Sequence, residues 1–150
     1  MKSLNLFSIV LVSQLISGCA SFMPIGEVMK AYNNEVVSSY KSMDTEILND
    51  KLAKQDVIDN SPLKVVFYLL NINSEQKDLV IHQSFSGIEE KENAIITVFR
   101  EGYLDDSVRG EWNEFDLEKT SENKWVIISA KKAILCWRSD SPQYQEDLCL

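Results

Sequence analysis

The chain is poor in the groups that most catalytic sites require. It has one histidine, His82, in 150 residues, and only three cysteines. None of the motifs H-E-x-x-H, G-x-S-x-G, the phosphate loop or the dinucleotide fingerprint occurs. Positive charge is scarce too: 15 basic against 23 acidic side chains leave a net charge of -8. Without a basic surplus to neutralise phosphates, nucleic acid is excluded as a partner. No apolar run reaches the roughly 18 residues at which a membrane-spanning helix is read. Internal repeats and low-complexity linkers are missing as well. What is present is ordinary: 45% hydrophobic and 25% charged residues, enough for one domain with one core. That composition excludes a two-domain enzyme and a wholly disordered chain.

The first nineteen residues carry an address. Lys2 is the single charge near the start, and no acid precedes Glu27. Leu4 to Ile16 are apolar but interrupted by Asn5, Ser8, Ser13 and Gln14, as in a secretion signal rather than a span. Leu15-Ile16-Ser17-Gly18-Cys19 follows, an aliphatic pair, two small residues and a cysteine. This stretch resembles the lipobox of bacterial lipoproteins. The resemblance implies that the Cys19 sulfur receives a diacylglycerol, that residues 1–18 are removed as a signal peptide, and that the new amine is acylated by a palmitate-like chain. Two or more chains suffice for stable anchoring, at about 0.8 kcal/mol per buried methylene. Ala20, rather than an aspartate, follows the cysteine. By the same resemblance this points to the periplasmic face of the outer membrane rather than to the inner membrane. The competing readings are a signal cut at an ordinary small-residue site, with Cys19 unmodified, and a buried core helix.

Loss of Lys2 with the signal takes the basic count from 15 to 14 and the net charge from -8 to -9. Such a body gains nothing from anionic headgroups, so the lipid must do the anchoring. Residues 19–26 form a lipidated cysteine and a short tether with a reach on the order of 25 Å. Residues 27–150 are then a single domain close to the membrane. In an oxidising envelope the remaining pair, Cys136 and Cys149, reads as a disulfide. It is worth about 3 kcal/mol in the chain-entropy model and pins the last residues. Pro142 and the Ser139-Asp140-Ser141 cluster supply turn chemistry inside its loop.

Ile25, Val28 or Met29, Tyr32, Val36, Tyr40 and Met43 recur at spacings of three and four, which predicts an amphipathic helix over about 26–42. Asp44 caps a second helix, about 44–55, with Ile47, Leu48 and Leu52 on one face. Ser61-Pro62 opens a third segment at 63–72. Its capping signal favours helix, although Val65-Val66-Phe67-Tyr68 leaves a buried strand open. Strands are predicted at 79–85, 94–99, 110–119 and 124–132, with a turn at 120–123. Helices followed by consecutive strands predict an α+β domain, N-terminal helices on an antiparallel meander of about four strands.

Chemistry is thin in this frame. A solitary strand histidine such as His82 is usually a structural residue. The most distinctive polar stretch is Glu101 to Glu111, between two predicted strands. Its Asp105, Asp106 and Glu111 are the candidate ligands for a hard cation, or an acid/base pair, with Arg109 as the neutralising charge. The bland reading is a solvated hairpin connection, and the calcium-loop pattern is absent. Trp112, Trp125 and Trp137 are candidates for a binding platform, but strand tryptophans are more often core. Asp105, Asp106, Arg109, Glu111 and Trp137 therefore form the candidate surface site.

The Glu101 to Glu111 stretch, the strand led by Trp125 and the ending Cys136-Trp137-Arg138 with a final Cys149 are similar to a group of small, uncharacterised bacterial envelope proteins. Those share a Tyr-x-Asp-Asp-Ser-Val-like turn and a terminal cysteine loop. The resemblance covers about the last third of the chain and implies no activity. The expectation is a non-enzymatic, lipid-anchored binding or accessory module without cofactor or metal, facing an envelope protein partner. One alternative is an inhibitor or immunity lipoprotein against an envelope-targeting enzyme. The other is a small ligand-binding or hydrolase domain, which requires His82 and a carboxylate to converge.

Overall fold

The computed structural model describes residues 35–55, 61–72, 78–86, 92–139, 141–146 and 148–149. The signal at 1–18, Cys19, the tether and most of the helix predicted over 26–42 lie outside the described residues. Among the described residues seven elements follow in order: β1 (Lys41–Ser42), α1 (Thr45–Ala53), α2 (Pro62–Leu70), β2 (Asp78–Ser86), β3 (Asn93–Glu101), β4 (Val108–Lys119) and β5 (Trp125–Cys136). The sheet is antiparallel with spatial order β1-β5-β4-β3-β2. The α+β class is as expected, but the sheet has five strands rather than four.

The extra strand comes out of the predicted first helix. Glu35 and Val36 are helical, but Val37 already bridges Tyr144 and Lys41–Ser42 pair with Lys131 and Lys132. Val36-Val37-Ser38-Ser39 is a weak helix former, and the C-terminal tail takes its backbone while β5 takes that of the residues after it. Ser38 N donates to Tyr144 O at 2.8 Å, and Met43 N to Ala130 O at 2.8 Å. Tertiary pairing thus overrides a helical spacing that continues as far as Met43.

The two helices start where local chemistry dictates. Asp44 accepts from the N–H groups of Glu46 and Ile47 at the head of α1. Pro62 stands at the first turn of α2, and Asn71 in the left-handed conformation (φ 51°) ends it. The expected apolar face of α1 is narrower than predicted. Leu52 is buried and Leu48 packs on the core, whereas Ile47 is 66% exposed.

Both helices cover one face of the sheet. Ala94, Ile96 and Val98 of β3, Phe115 and Leu117 of β4, and Trp125, Ile127 and Ala130 of β5 meet Leu52, Val65 and Val66 there. A fully buried aliphatic side chain contributes roughly 1.5–3 kcal/mol, so this layer is the main source of stability. The opposite face carries a smaller cluster: Phe99, Trp112, Ala133, Leu135 and Tyr144, with Val36 and Val37 against it. Cys136 and Cys149 are joined in a disulfide with Cα atoms 5.4 Å apart, which holds the segment bearing Tyr144 beside β5.

Backbone pairing also fixes which groups point out of the sheet. Lys119 N donates to Glu92 O (2.7 Å) and Gly102 N to Arg109 O (3.0 Å). Even-numbered residues of β3 therefore bond to β4 and odd-numbered ones to β2. Since Phe99 faces Val80 and Thr97 faces His82, the even-numbered residues of β2 complete that ladder. Leu79, Ile81 and Gln83 turn their N–H and C=O groups outward.

Candidate functional site

The hairpin between β3 and β4 carries four of the five candidate residues, and the structure separates them. Asp105 folds back on its own turn: its Oδ1 accepts from Ser107 N, Ser107 Oγ and Val108 N, each at 2.8 Å. Those bonds, the Val108 N–H first, hold its carboxyl below the usual range. It is a turn-forming aspartate with its acceptor capacity directed inward. Asp106 is exposed beside it. Glu111 points to the helix side and is bound by Arg100, which also donates from Nη1 to Leu70 O at 3.0 Å at the end of α2. Burial, with the nearby Glu111 charge second, pushes the Tyr103 hydroxyl up to about 12. Arg109 and Trp137 do come together: the guanidinium lies 5.5 Å from the indole centroid and pairs with Glu101 at 3.1 Å. The five residues thus form an Arg109–Trp137 contact and three separate carboxylates, not one ligand set. No group of three or more metal-ligating side chains occurs among the described residues.

His82 stands on the face away from the helices. The register across that face is His82, Thr97, Glu114, Lys131, so a buried threonine separates the imidazole from the nearest carboxylate in its row. Lys131 Nζ donates to Glu114 Oε1 at 2.8 Å, and that bond raises the lysine's pKa. Burial, and then the Glu114 charge, raises the neighbouring Asp116. His82 Nε2 and Trp112 Nε1 are buried with no hydrogen-bond partner. Trp112 and Trp125 are both core residues, as strand tryptophans commonly are.

A concave feature lies next to the hairpin, at residues that the sequence did not single out as a site. Asp78, Leu79, Val80, Phe99 and Glu101 line a pocket of about 260 Å³. Asp78 and Glu101 are direct cross-strand neighbours, so two like charges face each other at its rim. Glu101 is compensated by Arg109 and by the Tyr144 hydroxyl, which donates to its Oε1 at 3.0 Å. Asp78 has no ion pair among the described residues. Its carboxylate sits against Gly102, where an added Cβ would lie 3.1 Å from Asp78 Oδ2 and φ is 81°. A side chain at 102 would be strained and would crowd that carboxylate. Val80, 60% exposed, and Phe99 give the pocket an apolar floor. The one signal in the sequence was the absence of Lys, Arg, Glu and Pro from Leu79 to Ser86, which reads as an unprotected edge once the strand is known to be terminal.

No protein-family model, curated protein sequence or solved structure matches the chain.

Proposed function

We propose that this chain is an envelope lipoprotein, held through Cys19 at the periplasmic face of the outer membrane, whose body is a non-enzymatic binding or accessory module. The lipobox-like Leu15 to Cys19 supports the location. The observation that carries the binding reading is the dispersal of the candidate carboxylates. Asp105 is engaged by its own turn and Glu111 by Arg100, while Asp106 is exposed beside the turn. A catalytic pair needs two groups aimed at one reacting atom, and two of these three are aimed at structural partners. A hydrolase reading required His82 to meet a carboxylate, and Thr97 stands between His82 and Glu114. The more specific form of the reading is an inhibitor or immunity lipoprotein. It is favoured by the acidic surplus, which steers a basic enzyme towards the body and repels an acidic one.

Two measurements test this reading. Cys19→Ala should abolish labelling by a fatty-acid analogue and leave unprocessed precursor, and the wild type should fractionate with the outer membrane. Persistent labelling, or recovery with the inner membrane, refutes the anchoring. Cross-linking of the anchored protein in whole cells should then trap a defined envelope protein on its body. Substrate turnover by the purified chain refutes the non-enzymatic reading.

A further inference from the structure

The sheet's two edges differ in a way that identifies a contact surface. Along β5 the outward backbone groups are taken. The Asn49 side chain acts as a strand mimic: its Nδ2 donates to Ile127 O and its Oδ1 accepts from Ile127 N, both at 2.9 Å. Ala130 O accepts from Met43 N, Lys131 and Lys132 pair with β1, and Ile134 exchanges two 2.8 Å bonds with Gln145. Along β2 nothing comparable occurs at Leu79, Ile81 and Gln83 among the described residues. Leu79, Ile81 and Gln83 present N–H and C=O groups outward with no partner strand among the described residues. Nor does β2 carry the usual deterrents to pairing, since between Asp78 and Ser86 it has no lysine, proline or fixed charge.

We propose that the β2 edge is a strand-addition site for an extended segment of a partner protein, and that the pocket of Asp78, Val80, Phe99 and Glu101 takes a lysine or arginine side chain from that segment. This rests on the binding-module reading above and names the chemistry of its partner. The main-chain bonds to Leu79, Ile81 and Gln83 supply affinity that is indifferent to sequence, and the pocket supplies the preference. A strand added beside β2 lies about 4.8 Å from it, with alternate side chains leaning over the face that carries Val80. A long basic side chain fits there on two grounds. Its methylenes cover Val80 and Phe99, and its charge meets Asp78, the rim carboxylate with no ion pair among the described residues. An acidic side chain would meet Asp78 and Glu101 as a third like charge. A second copy of this chain fits less well. Antiparallel self-pairing centred on His82 sets Asp78 opposite Ser86, which leaves the pocket without a cation, and an edge of this length buries less than a stable dimer needs.

The test uses the full chain in detergent and an acetylated, amidated peptide of about nine residues in which Thr and Val alternate around one Lys. The Lys peptide should bind about tenfold more tightly than its Glu counterpart. Binding should slow amide exchange at Leu79, Ile81 and Gln83. Asp78→Asn should remove most of the Lys-over-Glu preference. Gln83→Pro deletes an outward N–H without breaking a ladder bond, and it should abolish binding while leaving the circular dichroism unchanged. Unchanged binding by folded Gln83→Pro overturns strand addition, and an unchanged preference in Asp78→Asn overturns the pocket assignment. A concentration-dependent dimer that Gln83→Pro dissolves makes the occupant a second copy and overturns the partner proposal. If the cellular cross-links map to Trp137 and Arg138 while the β2 amides stay unprotected, this inference fails and the binding-module reading stands.

Discussion

On the β5 side of the sheet, a side-chain amide, a two-residue strand and the disulfide-held tail each take up backbone groups that would otherwise face water. On the β2 side, Leu79, Ile81 and Gln83 turn their backbone groups outward with no such cover among the described residues. An exposed edge is a template for pairing, and a domain that guards one edge so thoroughly has the means to guard both. Guarding is local work done by Asn49, Met43 and Gln145, residues far from β5 in sequence or beyond it. The contrast teaches that the guarded edge belongs to the folding problem and the open one to association. It also ranks the edges mechanically: changes on the β5 side should unfold the domain, and changes on the β2 edge should leave it standing.

The largest effect should come from Trp125→Ala on β5, about 3–5 kcal/mol of lost stability, because the indole is buried against the helix layer beside Phe85. Denaturant unfolding checks this, and an unchanged midpoint would place Trp125 outside the core. Replacing both Cys136 and Cys149 by Ser should cost about 2–5 kcal/mol, typical of native bridges. The loss should include exchange protection at Ile134, whose N–H and C=O are covered by the tail that the bridge holds. Two reactive thiols at Cys136 and Cys149 in freshly isolated, unreduced protein would refute the bridge.

Asn49→Ala should cost about 1–3 kcal/mol, since it strips the cover from both backbone groups of Ile127. Amide exchange at Ile127 should rise first. Asp116→Asn should act in the opposite direction. Burial raises this carboxyl's native pKa above its unfolded value, so its favourable contribution is present below the unfolded value and lost as pH rises through the native one. The ionised group is therefore unfavourable at neutral pH. The substitution should raise the melting midpoint at about pH 7, and the gain should vanish below about pH 4. The smallest effect is expected from Gln83→Pro on the open edge, within about 1 kcal/mol, because the N–H it removes faces away from β3. A large loss there would mean that the edge is covered after all, and the contrast between the edges would fall.

Much of the layout was legible in advance. The Asp44 cap, the Ser61-Pro62 start and all four long strands stand within a few residues of their expected places. Each rests on a signal spoken by neighbours in sequence: a side chain reaching two or three residues along, a ring that fixes φ, a period of two. The expectations that failed involve competition between distant segments. Val36 to Met43 keep a helical spacing, yet the edge of β5 and the C-terminal tail offer backbone partners that a short β-branched run accepts. Ile47 has the right period but is exposed, while Leu48 and Leu52 take the contact with the core, a choice that periodicity does not contain. The candidate site fared similarly. Asp105, Asp106, Arg109, Glu111 and Trp137 are close in sequence or linked by the C-terminal loop, but strand pleating sends Glu111 to the helix side while Arg109 meets Glu101 and Trp137.

By itself, then, the sequence determined the class of the domain, the composition of its core and the cysteines able to bridge, since these depend on residue type and short spacing. Only the tertiary structure decided which strand would be terminal, which edge would be covered and which of the two facing carboxylates, Asp78 or Glu101, would meet Arg109. Those depend on register and on strand order. A shift of one residue exchanges the two faces, and the placing of a strand at the centre or the margin of a sheet is settled by partners tens of residues away.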